Sequence, residues 1–329
     1  MMDRQPVDDP SHVAEARRRI STLAARAGLD ETECGRVSLV VTELARNLLQ
    51  HGGGGELLFG LDAEVDAGVE VLALDRGRGM ADVARCLRDG YSTAGTPGTG
   101  LGAVQRLADE IAIHSRPGAG TVILARLRRR GGTGTSGPRH LGLVTVPRSG
   151  ETVCGDSGGM VKGSDGSVAL LMADGLGHGE LAAVASREAR RLFRAQAPRD
   201  PVAILQAVHA GLRHTRGAAV AVAVVAPNGR SVSYGGIGNI AGLLVDESGA
   251  RRMVSHNGTA GHTVFKLQAF SYDVAGHPTI VMHSDGLSTS WSLDSHPGLL
   301  RQDPTLAAAT LYRDHARGRD DCGVLVWKG

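Results

Sequence analysis

Glu43 and Asn47 stand four positions apart, so on a helix anchored by Val37, Val41 and Leu44 a carboxylate and an amide project together. Further along, the apolar run 69–74 ends in Asp75-Arg-Gly77-Arg-Gly79. A strand-end aspartate can accept a hydrogen bond from an exocyclic amine, and the glycines allow close backbone approach. Gly98-Thr99-Gly100-Leu101-Gly102 then opens a helix, whose backbone N–H groups and positive dipole end suit phosphate. Each feature alone is an ordinary surface pair or turn, and their order along one segment is what points to a nucleotide.

A second constellation is acidic. Asp156, Asp174-Gly175, Asp285-Gly286 and Asp320-Asp321 recur in the later part of the chain, three of them after apolar, strand-like runs. A strand ending in Asp places its carboxylate at a sheet edge, and several converging carboxylates form an oxygen-only site suited to Mg²⁺ or Mn²⁺. Any single Asp-Gly reads equally well as a turn.

The elements that must position these residues follow from periodicity. Val13, Ala16, Ile20, Leu23 and Ala27 predict one amphipathic helix, and Cys34, Val37, Val41, Leu44 and Leu48 a second, begun by Asp30 and Glu31. Strands are predicted over 56–61 and 69–74, a helix over 101–110, and strands over 111–114 and 121–127. Arg128-Arg129-Arg130 then runs into a Gly-rich stretch, 131–138, without apolar residues to bury. The predicted division is a nucleotide-binding domain at 1–128, a linker at 129–140 and a metal-binding domain at 141–329. In the latter, strands over 168–172 and 218–225 flank helices over 181–195 and 201–213, and Asn228-Gly229 signals a two-residue hairpin into 231–234. The class is α+β in two domains, without an internal repeat.

Composition narrows the function. The 329 residues are 42% apolar and 21% charged, with a net charge of +2 and few aromatic residues, which argues against a nucleic-acid surface. Four scattered cysteines form no zinc spacing and read as reduced thiols. No apolar run approaches the roughly 20 residues of a membrane span, so a cytoplasmic protein without membrane or nucleic-acid partners is expected.

Taken together, Thr42-Glu-Leu-Ala-Arg-Asn47, Asp75-Arg-Gly-Arg-Gly-Met80, Gly90-Tyr-Ser-Thr93, Gly98-Thr-Gly-Leu-Gly-Ala103 and Arg106-Leu-Ala-Asp-Glu110 resemble the Bergerat-type GHKL ATPases, and among them the RsbT/anti-sigma serine kinase group, over roughly 7–128. The resemblance implies an α/β sandwich with a mixed sheet covered by helices, binding ATP and Mg²⁺. It implies that Asn47 helps hold Mg²⁺ and that Glu43 is the general base toward a protein hydroxyl. Asp75 would read the adenine amine, Gly77 and Gly79 line the base, Gly98, Thr99, Gly100, Leu101 and Gly102 close over the phosphates, and Thr121 supports the adenine side.

The later segment resembles PPM phosphatases of the SpoIIE/RsbX branch over 141–328. The likeness is carried by Gly155-Asp-Ser157, Met172-Ala-Asp-Gly-Leu-Gly-His-Gly179, Tyr234-Gly-Gly-Ile-Gly-Asn239, Asn257-Gly-Thr-Ala-Gly261, His283-Ser-Asp-Gly286 and Asp320-Asp321. It implies an αββα sandwich holding two Mn²⁺ or Mg²⁺ ions about 4 Å apart that acidify a water for attack on phosphoserine or phosphothreonine. Asp156, Asp174, Asp285 and Asp320 are the implied ligands, with the Gly175 carbonyl; His178 takes a turn role. Cys322-Gly323 departs from the family pattern, where many relatives carry a Thr, and leaves the packing there open.

The function expected from both likenesses is a bifunctional regulator that phosphorylates and dephosphorylates serine or threonine on STAS-domain anti-anti-sigma or stressosome-like partners. An anti-sigma or sigma factor is a further expected partner, and a homodimer an expected assembly. A second reading makes the first domain a non-catalytic nucleotide-sensing or partner-sequestering module. A histidine kinase fragment fits less well, since no helical hairpin with a phospho-accepting His precedes Glu43.

Overall fold

Residues 3–7, for which no strand was expected, form β1 (Asp3–Val7), ahead of helices α1 (Ser11–Arg26) and α2 (Glu31–Asn47). The start of α2 is fixed by a reciprocal cap. Glu33 N–H donates to the Asp30 carboxylate at 2.8 Å, and the Glu33 carboxylate accepts from Asp30 N–H at 2.8 Å. At its other end α2 widens into a π turn over Leu48–Gly52, a distortion common beside functional groups.

Strands β2 (Gly55–Leu61) and β3 (Gly68–Asp75), helices α3 (Val83–Cys86) and α4 (Gly100–Leu107), and strands β4 (Glu110–Ser115) and β5 (Thr121–Arg128) complete this part. The sheet runs in the order β1-β2-β3-β5-β4. All its pairings are antiparallel, a correction to the mixed sheet expected. Ile20, Val37, Val41 and Leu44 of the helices pack against Phe59, Val71, Ile123 and Ala125 of the strands. The helix expected over 101–110 stops at Leu107, because Glu110 pairs across to Arg126 as a strand residue and its carboxylate meets that buried guanidinium at 3.0 Å.

The computed structural model describes residues 1–62, 67–87, 100–130, 139–196 and 200–329. The chain divides into two compact units, Met2–Pro138 and, together with Met1, Arg139–Gly329. The stretch 131–138, expected as the core of a linker, lies outside the described residues.

The second unit begins with β6 (Leu141–Val146), β7 (Asp156–Lys162) and β8 (Val168–Gly175), followed by α5 (Glu180–Arg194) and α6 (Pro201–Gly211). Strands β9 (Ala218–Val225), β10 (Ser231–Ile237), β11 (Ala241–Asp246), β12 (Gly249–Met253), β13 (Ala269–Asp273) and β14 (Thr279–His283) lead to α7 (Pro304–His315) and β15 (Cys322–Lys328). Two antiparallel sheets result, ordered β13-β10-β9-β8-β7 and β12-β11-β14-β15-β6.

Alternation along β8 explains the layering. Leu170 and Met172 face the other sheet and meet Met282 and Leu325, while Ala169, Leu171 and Ala173 face the helices and meet Ala189 and Phe193. With α5 and α6 outside one sheet and α7 against β6 and β15, the unit is an αββα sandwich. Between β9 and β10 the expected two-residue turn is a longer loop, Pro227–Arg230, closed by Ala226 N–H on the Ser231 carbonyl. Pro227 has no N–H for the ladder, so the turn is displaced one step and Gly229 takes the left-handed position, φ +68°.

Candidate functional site

In the first unit, α2, the ends of β3 and β5 and the start of α4 enclose a cavity of about 380 Å³ lined by Asn47, His51, Asp75, Gly79, Leu101 and Thr121, among others. Asp75 is oriented by the backbone: its Oδ1 accepts Gly77 N–H at 2.8 Å and Thr121 N–H at 3.1 Å. Gly79 is required by space as well as by its φ of +66°, since a Cβ there would stand 1.9 Å from the Arg116 carbonyl oxygen. Gly77 lies against His51 in the same way, a Cβ falling 2.6 Å from that carbonyl.

Glu43 and Asn47 meet the same ridge. A Cβ on Gly100 would be 3.0 Å from Glu43 Oε2 and 3.6 Å from Asn47 Oδ1, so α4 begins directly over the two side chains. The other Glu43 oxygen accepts from Arg46 at 3.1 Å. Gly102 is buried farther into α4. Gly98, Thr99 and the 90–93 motif lie outside the described residues.

Sequence reasoning overlooked part of this cavity. Ser115 bridges its far side: its hydroxyl accepts Met80 N–H at 2.8 Å and shares a hydrogen bond of 2.8 Å with the Thr121 hydroxyl. His51 and Arg78, joined at 3.2 Å, also line it, and burial together with the Arg78 charge lowers the His51 pKa. The π turn that brings His51 round carries no sequence signature, although Arg78 sits inside the Asp-x-Gly-x-Gly motif.

In the second unit the acidic residues arrive from both sheets. Asp156, opening β7, lies directly across from Asp174 near the end of β8. Asp285 follows β14, and Asp320 and Asp321 precede β15. Ser284 donates to Asp156 Oδ2 at 2.6 Å and accepts Gly323 N–H at 2.9 Å, which ties the two sheets together at the carboxylate. Asn239 donates to Asp285 Oδ2 at 2.8 Å.

Glycine is forced at two approaches: a Cβ on Gly175 would stand 2.0 Å from the Ala182 carbonyl, and one on Gly286 would stand 1.9 Å from that of Asp321. Gly323 sits close to the acidic residues: a Cβ there would stand 3.0 Å from Asp156 Oδ2 and would displace the Met172 methyl group. Asp321 has a different task from Asp320. Its two oxygens accept Arg148 N–H and Gly155 N–H, each at 2.8 Å, pinning the loop that leads into Asp156.

The donor set fits a hard divalent cation. Asp156 Oδ1 is buried and has no hydrogen-bond donor among the described residues. Burial first, and then neighbouring carboxylates, raise the pKa of both Asp156 and Asp174, the response of anions that lack a counter-charge. Among the described residues no three His, Cys, Asp or Glu side chains already stand as a ligating group. Asp174 and Asp285 are half-buried and Asp320 is exposed. His178 bonds to Glu151 at 2.7 Å, in the loop before α5.

The histidine kinase-like ATPase domain family matches residues 7–127, and the family of stage II sporulation protein E (SpoIIE) matches 164–322. The serine/threonine-protein kinase RsbT of Bacillus subtilis (strain 168) is 34% identical over 116 residues, spanning 34% of this chain and 86% of RsbT. The chain is a fusion of a histidine kinase-like ATPase domain with a SpoIIE-type PPM domain. The phosphoserine phosphatase RsbX of the same organism is 26% identical over 149 residues, 44% of this chain and 73% of RsbX. A crystal structure of RsbX in complex with magnesium shares the fold of the PPM domain, with a TM-score of 0.51 and 23% identity over 59% of this chain and 97% of that one. A chain solved from the bacterial stressosome, described as a modular system adapted to control secondary messenger signaling, superposes with a TM-score of 0.53 and 26% identity, covering 57% and 97%. Among the described residues no helix is long and apolar enough to cross a membrane.

Proposed function

We propose that this fusion sets the phosphorylation state of a protein partner from both directions. The PPM domain removes phosphate from serine or threonine, and the ATPase domain transfers the γ-phosphoryl group of ATP to the same class of hydroxyl. The observation that supports the phosphatase half is Asp156 directly across from Asp174 on neighbouring strands, with a buried Asp156 oxygen that lacks a donor among the described residues. RsbX, similar over this domain, is a phosphoserine phosphatase.

Asp156, Asp174, Asp285, Asp320 and the Gly175 carbonyl would hold two Mn²⁺ or Mg²⁺ ions. Bound divalent cations supply charge neutralisation for the phosphoryl oxygens and acidify a water for in-line attack. Ser284 and Asn239 keep Asp156 and Asp285 aimed, and Asp321 keeps the Asp156 loop in place. Phosphorus–oxygen cleavage returns the seryl oxygen to the partner as a hydroxyl and leaves inorganic phosphate.

In the ATPase domain Asp75 would read the adenine amine, with Gly77, Gly79 and Thr121 around the base. Gly98 to Gly102 would cover the phosphates, and Asn47 would help hold Mg²⁺. Glu43 would orient the partner hydroxyl and take its proton as the oxygen attacks γ-phosphorus and ADP departs, a reaction governed by positioning and charge. RsbT, similar over this domain, is a serine/threonine-protein kinase, and the stressosome likeness favours STAS-domain or stressosome-like partners, with an anti-sigma or sigma factor downstream.

Hydrolysis of para-nitrophenyl phosphate and of a phosphoserine peptide tests the phosphatase half. Activity that appears with Mn²⁺, vanishes with EDTA and falls at least roughly a hundredfold in Asp174→Asn is expected. Activity indifferent to EDTA or to Asp174→Asn would refute the assignment.

A further inference from the structure

Helix α5 turns Ala182, Ala185, Ala189 and Phe193 onto the sheet, and the opposite stripe, Leu181, Val184, Arg187, Arg191 and Arg194, faces solvent. Leu181 is 54% exposed and Val184 43%, and Leu176, in the loop entering the helix, is 55% exposed. Leu181 and Val184, three positions apart, form an exposed aliphatic pair on one helix face, and Leu176 lies in the loop leading to them.

Their position adds to their exposure. The stripe starts beside Asp174 and Gly175, for Gly175 packs directly on the backbone of Ala182 in the first turn of α5. This end of the helix therefore borders the acidic site. Farther from the cleft the same stripe becomes basic. Arg187 pairs with Glu180 at 3.2 Å and Arg191 with Glu188 at 2.7 Å, while Arg194 adds a further cation. Arg216, beside Gly177, adds a cation at the near end. The exposed aliphatic residues lie in the first turns of α5, and its later turns carry more arginine than glutamate, an excess of positive charge complementary to an acidic segment.

We propose that this stripe docks the phosphoprotein whose phosphoserine enters the cleft. Apolar side chains flanking the phosphoserine cover Leu176, Leu181 and Val184, and acidic side chains farther out meet Arg191 and Arg194. The inference rests on the phosphatase reading of the PPM domain. Removing the aliphatic surface from water supplies affinity, and the charges set the direction of the segment.

The test compares two phosphoserine peptides, one flanked by Leu and Val with Glu residues beyond, the other by Gly and Ser, with para-nitrophenyl phosphate as a small control, all with Mn²⁺. Full-length wild type is set against Leu181→Ser/Val184→Ser and Arg191→Glu/Arg194→Glu. Wild type should show a KM about tenfold lower for the apolar-acidic peptide, the size expected for covering two half-exposed aliphatic side chains. Each double variant should lose most of that preference while hydrolysing para-nitrophenyl phosphate at the wild-type rate. Equal KM values for the two peptides in wild type, or a preference that survives in both variants, would overturn the docking inference alone. A wild-type dimer converted to monomer by Leu181→Ser/Val184→Ser, with peptide preference intact, would assign the stripe to a second copy and overturn it too. Absence of hydrolysis of every substrate would overturn the phosphatase reading and the docking inference with it.

Discussion

The Ser284 hydroxyl joins three parts of the PPM domain, donating to Asp156 and accepting from Gly323 N–H at a point where β14 and β15 come together. Its replacement by Ala leaves a buried N–H and a buried carboxylate oxygen short of a partner, a loss of about 1–3 kcal/mol. Urea unfolding followed by tryptophan fluorescence checks this, because both tryptophans, Trp291 and Trp327, lie in this domain. An unchanged midpoint would contradict it. The carboxylates also set a pH dependence. Burial raises the Asp156 and Asp174 pKa values above the ordinary 3.8, so the folded domain holds protons that the unfolded chain releases. In EDTA, the stabilising contribution of these two groups is fully present below that ordinary value and is lost as pH rises through their raised folded values; this loss should shrink with saturating Mn²⁺ and in Asp174→Asn. Stability that climbs from pH 5 to pH 8 in EDTA would be the opposite sign. That Asp174 and Asp285 stand at strand ends was legible from the apolar runs before them. The work of Ser284 and Asp321 was not, since it depends on which strands become neighbours across two sheets.

Among the elements, α2 was the most readable: its apolar spacing and acidic start fixed the helix, and one face then had to carry Glu43 and Asn47. The capping box gives a direct test. Asp30→Ala removes the acceptor for Glu33 N–H and should cost about 1 kcal/mol, seen as faster amide exchange in the first turns of α2. Exchange no faster than in wild type would show the cap to be idle. Gly79→Ala forces a Cβ against the Arg116 carbonyl at a positive φ, and should weaken binding of a fluorescent ATP analogue by more than about tenfold. Full affinity in this variant would place the nucleotide elsewhere. Strand β1 escaped notice because Asp3-Arg-Gln-Pro-Val7 offers little alternation; its place is set by pairing with β2, and Val7 alone reaches the core as a buried aliphatic. The two-residue hairpin at Asn228-Gly229 failed for a local reason, the missing N–H of Pro227.

At the scale of the whole molecule, the compositional break after Arg128 falls close to the division between the two units, and each unit carries one of the two constellations. The opposing activities proposed for one chain would make sense if both act on one partner. The most direct measurement incubates the purified chain with γ-labelled ATP, Mg²⁺, Mn²⁺ and a STAS-domain protein, comparing wild type, Asp174→Asn and Asp174→Asn/Glu43→Gln. Label should accumulate on the partner when Asp174 is replaced and disappear when Glu43 is replaced as well, with little in wild type. Partner left unlabelled by Asp174→Asn, despite retained ATP binding, would contradict the claim and reduce the first domain to nucleotide sensing.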